Sequence, residues 1–132
     1  MSNKLVVAVL AGAMLLGLTA CGGGGGNTIS VTTTDFKFDP TTWTVPAGQQ
    51  ITLTLTNKGA NEHEWVLVKK GMEVTIPFDA DDEDKVYWEM EAGPGETKTE
   101  TFTAPSEAGT YTIVCGIAGH LEQGMTGTLT VK

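Results

Sequence analysis

The sequence predicts an all-β protein, a two-sheet Greek-key β-sandwich, and three observations lead to this prediction. Apolar residues alternate with threonines, as in Ile51-Thr52-Leu53-Thr54-Leu55, and a period of two is typical of strands. Turn-forming residues such as Pro46-Ala47-Gly48 separate these runs. No segment carries the apolar stripe of an amphipathic helix. Seven or more short strands with this spacing form a two-sheet sandwich.

The alternating pattern predicts strands along most of the chain. They cover residues 28–34, 36–38, 42–45, 50–56, 64–70, 73–77, 86–90, 97–103, 109–115 and 126–131. Residues 78–85 are interpreted as a solvated acidic loop, which contains Asp79, Asp81, Asp82, Glu83 and Asp84. The functional alternative that we favour for this loop is a docking patch for a basic partner. A calcium loop is disfavoured because the spacing lacks the required glycine and closing glutamate.

The N-terminal segment differs in composition from the rest of the chain. Lys4 precedes fourteen apolar residues, 5–18, which are fewer than the roughly 20 that span a bilayer but are typical of a secretory signal peptide. The sequence Leu18-Thr19-Ala20-Cys21 resembles a bacterial lipobox, so we expect Cys21 to carry lipid. An uncleaved anchor helix is the alternative.

This reading divides the chain into three parts. Residues 1–20 form a lipoprotein signal peptide, residues 21–27 a lipidated cysteine with a glycine-rich linker, and residues 28–132 one folded domain, since the length suffices for one core. The domain is expected outside the cytoplasm, anchored to the outer face of the bacterial cytoplasmic membrane.

The chain is strongly acidic, with 16 Asp and Glu against 8 Lys and Arg and a net charge of −8. Nucleic acid is therefore excluded as a partner, because its phosphates would be repelled. An acidic surface favours positively charged protein partners instead.

One segment combines residues that bind soft metals. Cys115, His120 and Met125 follow one another at intervals of five residues after a predicted strand. Thiolate, imidazole and thioether together suit copper in both oxidation states, whereas zinc rarely recruits a thioether. If Cys21 carries lipid, Cys115 has no disulfide partner, and a metal would protect its thiol from oxidation.

A second imidazole is available, because the sequence contains one other histidine, His63. His63, Cys115 and His120 in a plane with a weak axial Met125 would form a blue-copper site. Taken singly, each has an ordinary alternative: Cys115 and Met125 as core residues, and the histidines as surface residues. Met72 and Met90 lack such partners and are interpreted as packing or surface residues. The tryptophans are interpreted as core or rim residues rather than electron relays; these are Trp43, Trp65 and Trp88.

Three segments of the chain resemble the azurin and auracyanin branch of the cupredoxins. His63-Glu64-Trp65-Val66-Leu67 is similar to the family's His-Asn-Trp-Val-Leu strand, and residues 115–131 are similar to its ligand loop and final strand. The turn Val45-Pro46-Ala47-Gly48 fits the same pattern. The resemblance implies a cupredoxin-like sandwich with one copper that cycles between Cu(I) and Cu(II). It also implies a monomeric electron carrier without catalytic residues, which serves a photosynthetic or respiratory chain through basic, cytochrome-like redox partners.

Residues near the ligands complete the predicted site. Electrons would pass through the His120 ring edge, with Ile117, Ala118 and Leu121 around it as a small docking patch. We expect Glu64 and Ile117 to lie around the Cys115 sulfur. Two departures from the family pattern bear on it: Glu64 replaces an Asn that ties the ligand loops together, and Ala118 replaces a Pro, which adds a backbone N–H near the thiolate.

Two other functions are compatible with a β-sandwich of this kind. A copper delivery or storage protein would exchange its metal, but usually carries exposed tracts rich in Met or His. A metal-free interaction module would leave His63, Cys115 and His120 apart in space. A multicopper oxidase is excluded because two histidines cannot supply a further copper site.

Overall fold

A computed structural model describes residues 26–132 of this chain. The predicted signal peptide, residues 1–20, and the predicted lipidation site, Cys21, lie outside the described residues. Within 26–132 the chain forms nine strands and one short 3-10 helix. The strands are β1 (Thr28–Thr34), β2 (Lys37–Asp39), β3 (Thr42–Val45), β4 (Gln50–Asn57), β5 (His63–Val68), β6 (Val86–Ala92), β7 (Thr97–Thr103), β8 (Gly109–Val114) and β9 (Thr126–Val131), with the helix at Ala80–Lys85.

The strands form two sheets that face each other, which confirms the predicted sandwich. One sheet has the order β2-β1-β4-β7 and the other β3-β9-β8-β5-β6. Two pairs are parallel, β1 with β4 and β3 with β9. No helix in the described part of the chain has the length and hydropathy needed to cross a membrane.

The core lies between the sheets, and the alternating pattern explains it. In β4, for example, Ile51, Leu53 and Leu55 are fully buried while the threonines between them are partly exposed. Trp65 is also fully buried, and it contacts Trp43 and Trp88 edge to face. The tryptophans and Met90 therefore belong to the core or its margin, and Met72 is a half-exposed surface residue, as expected.

The strand predicted at 73–77 is wrong. Pro77 has no N–H to donate to a strand ladder, and the N–H of Thr75 donates to the Asp82 carboxylate at 3.0 Å. Ile76 is 66% exposed. The segment instead lies over the outer face of the five-stranded sheet, where a second apolar cluster is formed by Val66, Val68, Phe78, Val114 and Leu121.

The acidic stretch is also more ordered than the predicted solvated loop. Phe78 packs into the outer cluster, and the 3-10 helix follows with Asp79 as its N-cap. Asp82 is fully buried, and its carboxylate accepts hydrogen bonds from the Thr75 hydroxyl and from Lys85 Nζ at 2.7 Å. These donors lower the pKa of Asp82 although burial opposes them. The remaining four carboxylates are exposed, and their use as a docking patch stays a prediction.

Candidate metal centre

Three of the predicted ligands meet at one end of the sandwich. The Nδ1 atoms of His63 and His120 lie 3.2 Å apart, and Cys115 Sγ lies 3.3 Å from His120 Nδ1. One ligand atom from each of the three residues lies within 4.8 Å of those of the other two, and all three residues are buried. Residues separated by up to 57 positions along the sequence thus converge on one point.

Neighbouring strands bring these side chains together. His63 begins β5, and Cys115 follows the last residue of β8; the two strands pair with Val66 opposite Val114. Because side chains alternate across a sheet, His63 and Cys115 both point into the core, in line with Trp65 and Ile113.

The loop between β8 and β9 supplies the remaining donors. Its N–H and carbonyl groups close several tight turns: the His120 N–H donates to the Ile117 carbonyl at 3.0 Å, and the Met125 N–H donates to the His120 carbonyl at 3.2 Å. Gly119 and Gly124 have φ values of 86° and 83°, a backbone conformation in which a side chain would be strained.

Met125 closes this loop opposite Cys115. The Cys115 N–H donates to the Met125 carbonyl at 3.1 Å, and the Met125 side chain is buried in the same core cluster as Cys115. The four residues form a cluster that could bind one copper ion. The donor set fits copper, because a soft thiolate and thioether beside two imidazoles match its ligand preferences.

Two backbone N–H groups surround the sulfur. The Glu64 N–H donates to Cys115 Sγ at 3.4 Å, and the Ile117 N–H lies near enough to influence the pKa of the thiol. Burial raises the pKa of the Cys115 thiol, and these two N–H groups oppose the rise. Among the described residues Glu64 is the backbone donor to the sulfur, and the effect expected from the Ala118 N–H stays a prediction.

The surface beside His120 differs from the predicted patch at one residue. Ala118 is exposed and Ile117 half-buried, as a docking patch requires. Leu121 is only 7% exposed and packs into the outer cluster with Val114. Leu121 therefore anchors the ligand loop to the sheet and does not form part of its surface.

Sequence reasoning missed two residues next to the histidines. Asp35 Oδ1 lies 3.5 Å from His63 Nε2, and the Phe36 ring meets the His120 ring edge to face at 5.1 Å between centroids. Burial and His120 lower the pKa of His63, and Asp35 opposes them. The available signal was weak: a lone aspartate between two strand patterns, followed by a phenylalanine that was assigned to the second strand.

Glu64 has an unusual environment beside the thiolate. Its carboxylate rests against Gly116, where an added Cβ would overlap it. Burial, followed by the charges of Glu89, Glu91, Glu83 and Glu62, raises the pKa of Glu64 to about 7. The site thus has a carboxyl group that is protonated in mildly acidic solution.

This protonation predicts how stability depends on pH. The unfolded chain releases the Glu64 proton near pH 4.5, whereas the folded chain keeps it to about pH 7. The stability that this proton contributes is complete below pH 4.5 and is lost as pH rises through 7. Glu64→Gln has no proton to lose. Relative to wild type, its free energy of unfolding should therefore rise between pH 5 and pH 8, by on the order of 1 kcal/mol after allowance for partial solvent exposure.

Urea unfolding of the metal-free proteins at both pH values measures this difference. Glu100→Gln is the matched control, since Glu100 is exposed on β7 of the other sheet. A Glu64→Gln difference that stays constant with pH, or that the control reproduces, would contradict the raised pKa.

Comparisons with known proteins agree with this geometry. Residues 6–131 match the family described as cupredoxin-like domain. The chain is 34% identical to auracyanin-A of Chloroflexus aurantiacus over 98% of this chain and 97% of that protein. It is 30% identical to the copper-resistant cuproprotein CopI of Rubrivivax gelatinosus over 80% of this chain and 66% of that protein. The crystal structure of dithionite-reduced auracyanin from Roseiflexus castenholzii superposes with a TM-score of 0.72 at 32% identity, covering 83% of this chain and 99% of that one. By sequence and by fold, this chain belongs to the cupredoxin-like family.

Proposed function

We propose that this protein is a type 1 copper electron carrier that shuttles single electrons between redox partners outside the cytoplasmic membrane. The observation that carries the proposal is the buried convergence of His63, Cys115 and His120, with Met125 closing the same loop. We assign these four residues as the ones that would hold the copper, with the Met125 thioether as the weakest donor. Bound copper would supply the one-electron chemistry, because it exists as Cu(I) and Cu(II).

The residues of this chain restrict how much the site can change on electron transfer. Two strands hold His63 and Cys115, the Glu64 N–H donates to the sulfur, and a closed loop holds His120. Water is excluded, since the three side chains are at most 6% exposed. His120 has the most accessible edge of the three and lies beside exposed Ala118, which supports this rim as the route for electrons.

The proposal describes a carrier without a substrate to transform. Both histidines of the sequence belong to the same cluster, so no histidine remains for a second copper site that would reduce oxygen or nitrite. This count supports a protein that is not an enzyme.

A second candidate function is copper handling, through storage or delivery. The similarity to a copper-resistant cuproprotein favours it. The buried, closed ligand set weighs against it, because a delivery protein must release its metal readily. The two functions differ in how firmly the protein retains Cu(I).

The absorption spectrum of the domain that begins at residue 26 tests the copper site. Addition of Cu(II) should produce a strong visible thiolate-to-copper band that a mild reductant bleaches and an oxidant restores. Cys115→Ala should lack this band while retaining the circular dichroism of the β-sandwich. A folded, copper-exposed protein without the band would eliminate the electron-carrier proposal and leave the interaction module.

The same sample separates the carrier from a copper-handling protein. After reduction, the protein is dialysed against a Cu(I) chelator and then reoxidised. Return of the full band indicates a carrier that retains its metal, whereas loss of the band with copper recovered on the chelator supports delivery or storage.

We propose that a lipid on Cys21 holds the domain at the outer face of the membrane. The direction of strand β1 supports such an arrangement. The strand begins at Thr28 and ends beside the metal centre, because Asp35, the residue after its end, lies next to His63. Seven residues of strand span roughly 20 Å. A tether that precedes β1 would thus leave the metal centre directed away from the membrane.

Replacing the proposed lipidation site should release the protein. In a bacterial host, the full-length wild-type chain is expected in the membrane fraction and to resist extraction by high salt. Cys21→Ser should lose this association, and Cys115→Ser is the matched control that keeps it. A Cys21→Ser chain that still fractionates entirely with membranes would support an uncleaved anchor helix instead.

We propose redox partners with basic docking surfaces, such as cytochrome-like proteins. Several carboxylates cluster near the His63 end of β5 and β6, where Glu64 pairs with Glu91 and lies close to Glu89. Burial and the charges of Glu83 and Glu91 raise the pKa of Glu89, which is consistent with mutual repulsion among these groups. Such a field attracts cations and weakens as salt increases.

Small redox probes test this field without knowledge of the partner. The reduced copper protein should react faster with a cationic ruthenium ammine than with an anionic iron cyanide of matched driving force. Added salt should reduce the difference between the two rates. Glu91→Gln should reduce the preference about two-fold or more, and Glu100→Gln should change it less. Equal rates at low salt would contradict a basic partner.

A further inference from the structure

The turn between β1 and β2 touches both histidines of the metal centre. It consists of Asp35 and Phe36, which join paired Thr34 and Lys37. We propose that these two consecutive residues are positioning residues for the copper site: Asp35 fixes the tautomer of His63, and Phe36 holds the ring of His120. This inference rests on the proposed function, since it assigns the residues that preset the ligands.

The role of Asp35 depends on which ring nitrogen of His63 carries the proton. The Nδ1 atoms of His63 and His120 face each other at 3.2 Å, so a metal between them would bind both through Nδ1. A neutral imidazole that offers Nδ1 to a metal carries its proton on Nε2. His63 Nε2 is buried and has no hydrogen-bond partner among residues 26–132.

Asp35 is the acceptor available to that proton. Its Oδ1 lies 3.5 Å from His63 Nε2, slightly beyond a normal hydrogen bond. A short adjustment would satisfy the buried N–H. A carboxylate that accepts from a metal-binding imidazole fixes the tautomer and makes the ring a better ligand.

The surrounding loop is shaped to hold Asp35 in this place. Its Oδ1 accepts the N–H of Ala60 at 3.0 Å and that of Asn61 at 3.4 Å. A Cβ at Gly59 would lie 2.5 Å from Asp35 Oδ1 and 2.8 Å from His63 Nε2. A side chain at position 59 would therefore enter the space between the carboxylate and the imidazole.

Phe36 has a conformation that stability alone does not explain. Its φ of 64° lies in the left-handed region, where a bulky residue is an outlier and glycine or asparagine is preferred. Its side chain is also 42% exposed. The ring nevertheless packs edge to face on His120. An unfavourable backbone conformation is therefore retained at an exposed residue whose side chain covers a ligand.

Nitrogen NMR of the metal-free protein at pH 8 tests the role of Asp35. In the wild type, His63 should be the Nε2–H tautomer, whereas in Asp35→Ala it should be a mixture of both tautomers. The Asp35→Ala protein should also bind Co(II), used as a probe metal, with ten- to hundred-fold lower affinity. Asp35→Asn, which keeps an acceptor, should restore most of the tautomer preference. Asp39→Ala removes an exposed carboxylate from β2 and should change neither quantity.

Phe36→Asn tests the second half of the proposal. Because asparagine tolerates the left-handed region, the metal-free variant should be as stable as wild type or more stable. Its His120 ring should nevertheless gain mobility in NMR relaxation, and bound Co(II) should dissociate several-fold faster. A purely structural role for Phe36 would give the opposite result, a lower stability with unchanged mobility of the His120 ring.

An Asp35→Ala protein that is folded and has the wild-type His63 tautomer and Co(II) affinity would overturn the role of Asp35.

Discussion

The antiparallel pairing of β5 with β8 is the constraint on which the metal centre depends. Val66 lies opposite Val114 and Leu67 opposite Ile113, so His63 and Cys115 reach the same end of the sandwich. A slip of one residue would turn a ligand out of the core. Trp65 and the other inward side chains of these strands are fully buried, and their packing prevents that slip. Apolar packing therefore assembles the ligands.

Local patterns predicted the sandwich and the composition of the site. The spacing of Cys115, His120 and Met125 is a property of one loop. His63 was predicted as the fourth ligand because it is the one other histidine in the sequence. Asp35 and Phe36 could not be found in this way, because their contacts depend on how the β1–β2 hairpin folds over a distant loop. Leu121 was misplaced for a similar reason: a tight turn decides which loop residues face the outer cluster.

The stretch after β5 shows how tertiary contacts override a strand pattern. The apolar residues of 73–77 alternate as a strand would, but no neighbouring strand edge accepts them. A buried carboxylate, Asp82, takes the donors of Thr75 instead, and Phe78 fills the outer cluster. Composition alone made the acidic residues look equivalent, whereas one of the five is a structural anchor. The anchored segment in turn covers the outer side of the strands that carry two ligands.

The position of β9 has a consequence for the time at which the site is completed. This strand lies between β3 and β8 and follows every other described strand in the sequence. Until it is inserted, β3 has no neighbour in its sheet, and Met125, which immediately precedes β9, cannot close the loop onto Cys115. In a chain that emerges N-terminus first, β5 and β8 are therefore available to pair before Met125 can close the ligand loop. The four-residue site is complete only once the C-terminal strand has joined the sheet.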